Sequence, residues 1–298
     1  MKKIGQFKNP EAQQRYFPVY ERALRECPPP DEVFDVACRH GSTRVYRFGD
    51  GERPIVLLPG LMSTSVCYAS LIPELDGPVY AVDTLGEAGR SVQTRPFADI
   101  RDRALGFDDV LAGLGLRDVF LVGGSTGGWH AVNQAIHAPD RLAALCLLDP
   151  TTVSAKFSAA AQWRALKAIV LDRDRGWRRF VAWSAGEDVF DQPAARTVVA
   201  GIRDYRARVP LQSCPRAAEL RAIRMPVLAL FGGRSVVHDP VAAAANLRGL
   251  VPHATVEVLP DAGHYLYLRP EDRKRIAELI NAARVPGGSQ PPGTRSVS

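Results

Sequence analysis

The segment Val119-Phe120-Leu121-Val122-Gly123-Gly124-Ser125-Thr126-Gly127-Gly128-Trp129 decides how this chain is read. Its first four residues form a short apolar run of the kind that makes a strand buried on both faces. Gly127 to Ala138 reads as a helix, so only a few residues are left to turn the chain between the two. A turn that tight forces Ser125 into a strained backbone conformation, and side chains two residues to either side would collide. Gly123 and Gly127 remove those side chains. The Ser125 hydroxyl is then lifted above the strand end, where the helix that begins behind it aims its first N–H groups at any developing anion.

Outward from this turn, short apolar runs alternate with helical stretches. Ile55–Leu58, Val79–Val82, Ala144–Leu148, Val227–Phe231 and Val256–Leu259 read as strands. Ile100–Leu114, Pro240–Leu250 and Pro270–Ala283 read as helices between or after them. The alternation predicts an α/β fold with a doubly wound, mostly parallel sheet. Ahead of it, Pro10–Arg25 has the pattern of an amphipathic helix stopped by Pro28-Pro29-Pro30, and Val33–Ala37 and Thr43–Phe48 read as two strands joined through a turn at Gly41. Residues 151–215 interrupt the alternation. They carry Trp163, Trp177, Phe180 and Trp183 and no convincing strand, which predicts a helical cap laid over one end of a core made of residues 1–150 and 216–284. The Pro-, Gly- and Ser-rich residues 285–298 are expected to be a disordered tail.

Composition excludes several classes. Of 298 residues, 46% are hydrophobic and 23% charged, which excludes an intrinsically disordered chain. No apolar run approaches the ~18 residues needed to span a bilayer, so no membrane association is expected. The net charge is +6, and residues 151–215 hold eleven basic against six acidic residues, so most of the excess sits in the insertion. A basic cap of this kind suits an acidic substrate or an acidic carrier protein as well as a solvated helix face. There is no aromatic-interleaved basic stripe and thus no nucleic-acid motif. The five cysteines are scattered and odd in number, with no metal spacing, which predicts reduced thiols, no zinc site and a cytoplasmic location. The start of the chain lacks the apolar stretch of a secretion signal. No dinucleotide fingerprint follows the strands, so no cofactor is expected.

With these motifs in order, the chain resembles the α/β-hydrolase superfamily over about residues 32–284. Leu57-Leu58-Pro59-Gly60-Leu61 sits where that family has its oxyanion loop, Asp83-Thr84-Leu85-Gly86-Glu87-Ala88-Gly89-Arg90-Ser91 looks like the turn after the fourth strand, and Asp261-Ala262-Gly263-His264 looks like the loop that bears the catalytic histidine. Gly86–Ser91 and Gly127-Gly128-Trp129 look most like bacterial carboxylesterases of the group that cleaves aryl-propionate esters. The resemblance implies an α/β-hydrolase fold with a helical cap, Ser125 as nucleophile, His264 as general base, and backbone N–H groups of Leu61 and Thr126 as the oxyanion hole. Pro59 departs from the family's usual histidine.

The third member of a triad is open. The position expected to carry it, three residues after Gly232, is Ser235, and a serine cannot hold an imidazolium by charge. Asp149, at the end of the strand beside the nucleophile strand, and Asp239, four residues beyond Ser235, are the two candidates. Asp149 is the first candidate and Asp239 the alternative; each precedes a proline and also suits a helix N-cap, Asp239 especially, since the next helix starts at Pro240. A Ser–His dyad with no carboxylate stays open beside them. The expectation is therefore a serine hydrolase that cleaves small-molecule carboxylic esters through an acyl-enzyme on Ser125. A biosynthetic thioesterase or cyclase using the same serine, and a catalytically weak binding protein of the same fold, are the alternatives.

Overall fold

A computed structural model describes residues 3–170 and 173–284; the expected disordered tail lies outside the described residues. In chain order the elements are β1 (Gln6–Phe7), α1 (Pro10–Leu24), β2 (Glu32–Cys38), β3 (Gly41–Phe48), β4 (Ile55–Leu58), β5 (Val79–Val82), β6 (Val92–Gln93), α2 (Ile100–Gly113), β7 (Val119–Gly124), α3 (Thr126–His137) and β8 (Leu142–Leu148). After β8 come α4 (Ala159–Val170), α5 (Arg173–Ala185), α6 (Pro193–Asp204), β9 (Tyr205–Arg206), α7 (Ala217–Ala222), β10 (Val227–Gly232), α8 (Pro240–Leu250), β11 (Thr255–Leu259) and α9 (Pro270–Arg284).

The main sheet runs β11-β10-β8-β7-β4-β5-β3-β2, with β6 paired to β3 off that path. From β5 to β11 the neighbours are parallel, and β2, β3 and β6 add antiparallel pairs at the other side. The parallel strands read as continuous apolar runs because helices cover both faces. β4, β7 and β10 are buried at every position. One face packs Val56, Leu58, Leu121, Leu145, Trp129 and Phe231 with their neighbours. The other packs Ile55, Leu57, Phe120, Val122, Cys146 and Leu230. Alternation along each strand assigns the two sets.

Register fixes where the strands end. Leu58 pairs with Gly123, Gly124 with Leu148, and Leu148 with Leu230. The loops that follow β4, β7, β8 and β10 therefore leave from one edge, outside the carboxyl ends of parallel strands, where open α/β sheets bind ligands. Tyr68 ties two of these ends together. Its hydroxyl donates to the Leu58 carbonyl at 2.8 Å and accepts from the Gly124 N–H at 2.9 Å.

The stretch between β8 and β10 holds helices α4 to α7, and it also holds a strand where none was expected. Tyr205–Arg206 forms a two-residue strand that pairs antiparallel with Gln6–Phe7. A strand of two residues leaves no period-2 signature in the sequence. The amino-terminal helix joins this region too. Tyr16, Tyr20 and Ala23 of α1 pack with Ala200, Tyr205, Met62 and Val66. Asp204, fully buried, accepts from Arg15 at 2.7 Å. The five cysteines are free thiols.

Candidate active site

Ser125 lies between β7 and α3 with φ 53° and ψ −119°. A non-glycine residue there is strained, and it persists because the neighbours leave no alternative. A Cβ on Gly127 would lie 2.0 Å from the Leu58 carbonyl oxygen, and one on Gly123 would lie 2.1 Å from the Gly127 oxygen. The Ser125 N–H donates to the Leu148 carbonyl at 2.9 Å. The bend is thus locked to the strands on both sides.

His264 stands on the loop after β11. Its Nε2 is 2.9 Å from Ser125 Oγ and its Nδ1 is 2.6 Å from Asp149 Oδ2. The tautomer that fits carries its proton on Nδ1, donating to the carboxylate, and accepts at Nε2 from the serine hydroxyl. Asp149 is fully buried at the end of β8 with φ 44°. Its Oδ1 accepts from the Gly232 N–H at 3.0 Å, and its Oδ2 accepts from Ser235 Oγ at 2.7 Å. Burial pushes the Asp149 carboxyl up, but the hydrogen bond from His264 and the nearby imidazoles of His264 and His238 outweigh it and hold the group well below the usual carboxylate range.

The other candidate carboxylate is elsewhere. Asp239 is exposed and accepts from the Ala242 N–H at 3.0 Å as the N-cap of α8. Ser235, at the position where a carboxylate was expected, hydrogen-bonds to Asp149 instead. Sequence reasoning also passed over His238. Its ring is 3% exposed and its Nε2 lies 3.3 Å from Asp149 Oδ1. Nothing in Val237-His238-Asp239 marks that role, because the contact spans most of the second half of the chain. Of the two histidines on α3, His130 is buried, and burial drives it well toward the neutral form.

Thr126 opens α3, so its N–H belongs to the first turn, where helical N–H groups lack intrahelical partners. Leu61 follows β4 in a loop that passes over the serine. A Cβ on Gly60 would lie 3.4 Å from the Ser125 Cβ. This loop is held from below by Glu87. The Met62 N–H donates to one Glu87 oxygen at 2.6 Å, and Arg103 donates to the other at 2.8 Å. Glu87 and Arg103 are 1% and 4% exposed. Breaking a buried pair of this kind leaves an uncompensated charge and costs about 3–5 kcal/mol. Glu87→Ala is therefore expected to lower the unfolding free energy by about that amount in urea denaturation.

Gly60, Leu61, Thr126, Ser125 and His264 all face one cavity of about 310 Å³. Its remaining wall is mainly apolar, with Phe157, Trp177, Phe180 and Val198 from the stretch between β8 and β10 and Tyr267 and Leu268 from the loop after His264. Cys67 also faces it. Desolvation pushes that thiol up to about 11, so it stays protonated at neutral pH and does not rival Ser125 as a nucleophile. Among the described residues, no three His, Cys, Asp or Glu side chains are grouped to hold a metal ion, and no helix is long and apolar enough to cross a membrane.

Known proteins resemble this chain over most of its length. Carboxylesterase YbfK of Bacillus subtilis (strain 168) is 29% identical over 278 residues, covering 89% of this chain and 93% of that protein. The crystal structure of that esterase, CesB (YbfK), superposes with a TM-score of 0.82 at 25% identity, over 91% of this chain and 97% of the other. The naproxen esterase of Bacillus subtilis, carboxylesterase NP, superposes with a TM-score of 0.83 at 25% identity, over 92% of this chain and all of the other. Residues 55–278, from the first parallel strand to within the last helix, match the alpha/beta hydrolase family profile. That match, over most of the chain and on a parallel sheet of this order, places the chain in the alpha/beta hydrolase family, as one of its enzymes.

Proposed function

We propose that the protein is a serine esterase that hydrolyses small carboxylic esters carrying a bulky apolar group, with Ser125 as nucleophile, His264 as general base and Asp149 as the orienting acid. The observation that carries this reading is the unbroken chain of contacts from Ser125 Oγ to His264 Nε2, 2.9 Å, and from His264 Nδ1 to Asp149 Oδ2, 2.6 Å. In acylation, His264 Nε2 takes the hydroxyl proton as Ser125 Oγ attacks the ester carbonyl carbon. The carbonyl oxygen becomes an oxyanion and accepts from the N–H groups of Leu61 and Thr126. His264 then gives its Nε2 proton to the departing alkoxide as the C–O bond breaks, leaving an acyl group on Ser125. Water repeats the sequence. It loses a proton to Nε2, attacks the acyl carbon, and the proton returns to Ser125 Oγ as the acid leaves.

The bulky apolar group follows from the cavity, whose size is that of small-molecule sites and whose wall is aromatic and aliphatic. Helices α4, α5 and α6 supply much of that wall, which supports assigning residues 151–215 as a cap that selects the substrate. Two basic residues of this region make contacts within it, which argues against an acidic carrier. Arg164 stacks over Trp183 at 4.7 Å and Arg178 over Phe190 at 4.3 Å, contacts within the region itself. The alternative of a mere binding protein rests on Ser235 in the acid position and on Pro59 in the oxyanion loop, and Asp149 beside His264 speaks against it.

The test is a fluorophosphonate probe followed by peptide mapping, with p-nitrophenyl butyrate as the assay substrate. Rapid labelling is expected at Ser125 alone, with loss of esterase activity in step. Labelling at another residue, or unlabelled protein with no esterase activity, would reject the proposal.

A further inference from the structure

We infer that His238 is a positioning residue for the reaction, a second imidazole that fixes the Asp149 carboxylate so that its other oxygen stays aligned with His264. This rests on the esterase reading given above.

The argument starts from charge. Asp149 has no exposed surface, and an ionised carboxylate without solvent needs its lone pairs satisfied. Four groups surround it. Oδ2 receives His264 Nδ1 at 2.6 Å and Ser235 Oγ at 2.7 Å. Oδ1 receives the Gly232 N–H at 3.0 Å, and His238 Nε2 lies beside it at 3.3 Å. That last contact is longer and falls short of hydrogen-bond geometry, and neither ring nitrogen of His238 finds a hydrogen-bond partner in the structure. A buried imidazole with both nitrogens unmatched is costly unless its polarity serves a neighbour. The polar neighbour within reach is Asp149.

The ring is held for this purpose. It meets Phe231 edge to face, with centroids 6.0 Å apart and planes at 84°. The loop that bears it is pinned from the other side, where the Ser158 hydroxyl donates to the Val236 carbonyl at 2.8 Å and the Ser158 N–H donates to the Val237 carbonyl at 2.7 Å. Ser158 immediately precedes α4, and Val237 itself faces the cavity. The Ser235-Val236-Val237-His238 loop thus reaches the carboxylate, the cavity wall and the start of α4 at once.

Its chemical logic follows from where the acid sits. A carboxylate on β8 instead of on the loop after β10 leaves that loop facing a negative charge. Ser235 and His238 are the two side chains there that oppose it, one per carboxylate oxygen. Without the polar edge of His238 at 3.3 Å, Oδ1 is left with the Gly232 N–H, the carboxylate is freer to rotate about its terminal torsion, and the Oδ2–Nδ1 alignment loosens. Outer-shell groups that orient a reacting side chain typically supply roughly 10–100-fold in activity.

The test uses the full chain with p-nitrophenyl butyrate. His238→Phe keeps the ring shape and the packing on Phe231 but removes the polar edge. Its kcat is expected to fall roughly 10–100-fold with KM changed less than about twofold. His238→Gln, which still presents an N–H, is expected to recover most of that loss. The downfield proton resonance of the His264 Nδ1–H should shift or broaden in the phenylalanine variant and stay in place in the glutamine variant. If His238→Phe keeps wild-type kcat and an unchanged resonance, the inference is overturned. It is equally overturned if glutamine is as poor as phenylalanine while both lose thermal stability, since the residue is then only packing. Should the phenylalanine variant fail to fold, His238→Asn, whose amide stops short of Oδ1, takes its place with the same expected loss of kcat. Inactivity of the unaltered protein, or full activity of Ser125→Ala, would instead remove the esterase reading on which the inference stands.

Discussion

Replacing Ser125 with alanine is expected to lower kcat for ester hydrolysis by roughly 10⁶-fold, the scale seen when the nucleophile of a serine triad is removed. In the proposed mechanism every proton transfer by His264 belongs to a step that follows attack by that oxygen, so a second substitution at His264 should add little to the first. The same position makes an opposite prediction for stability. Ser125 holds φ at 53°, a conformation that costs a residue with a Cβ about 1–3 kcal/mol. Glycine adopts it freely. Ser125→Gly should therefore be as inactive as Ser125→Ala yet raise the melting temperature, while alanine, which keeps the Cβ, should leave it near the wild-type value. An inactive variant that is more stable than its parent separates loss of chemistry from loss of fold. A Ser125→Gly protein that melts earlier would show that the serine side chain, and not its backbone strain, dominates the energetics of the bend.

The bend was legible in the sequence because its determinants are local. Apolar residues 119–122, glycines at 123 and 127 and a helical pattern behind them are contained in one short stretch, and each has its own steric reason. The histidine loop was legible for a similar reason, since it lies between a recognisable strand and helix. The acid was legible only as a ranked pair. Asp149, the first candidate, and Asp239, the alternative, each stand before a proline, and the strand order is what separates them in space. β8 lies between β7 and β10, which sets the end of β8 beside both Ser125 and Gly232. Asp239, one loop further on, turns outward onto α8. Ser235 looked like a loss because the loop was read by itself. Across the sheet it is a donor to the carboxylate that stands 86 residues earlier. The packing of α1 on α6 was hidden in the same way, since an amphipathic helix announces that it has a buried face but not what covers it.

Asp149→Asn is expected to lower kcat by roughly 10⁴-fold, and Asp239→Asn is expected to leave it unchanged. Asparagine fits the space of Asp149 but supplies an amide. If its nitrogen faces His264, the imidazole must accept at Nδ1 and carry its proton on Nε2, which is the wrong tautomer for taking one from Ser125. If its oxygen faces His264 instead, the charge that stabilises the imidazolium is still gone, and the amide N–H₂ is turned toward the Gly232 N–H, donor against donor. Stability should follow pH with a defined sign. The folded-state carboxyl of Asp149 is held below its ordinary range. Its contribution is therefore fully present above the unfolded value of about 4, and is lost as pH falls through the lower folded value. The stability gap between the wild type and Asp149→Asn should accordingly be widest at neutral pH and narrow on acidification below about 4. At position 239 asparagine caps a helix as well as aspartate does, so neither stability nor kcat has reason to move. The pair of variants isolates one carboxylate. If Asp239→Asn is the one that loses activity, or if both remain fully active while Ser125→Ala is dead, the buried aspartate at the end of β8 is not the acid, and the contact between His264 Nδ1 and Asp149 holds the loop without serving the reaction.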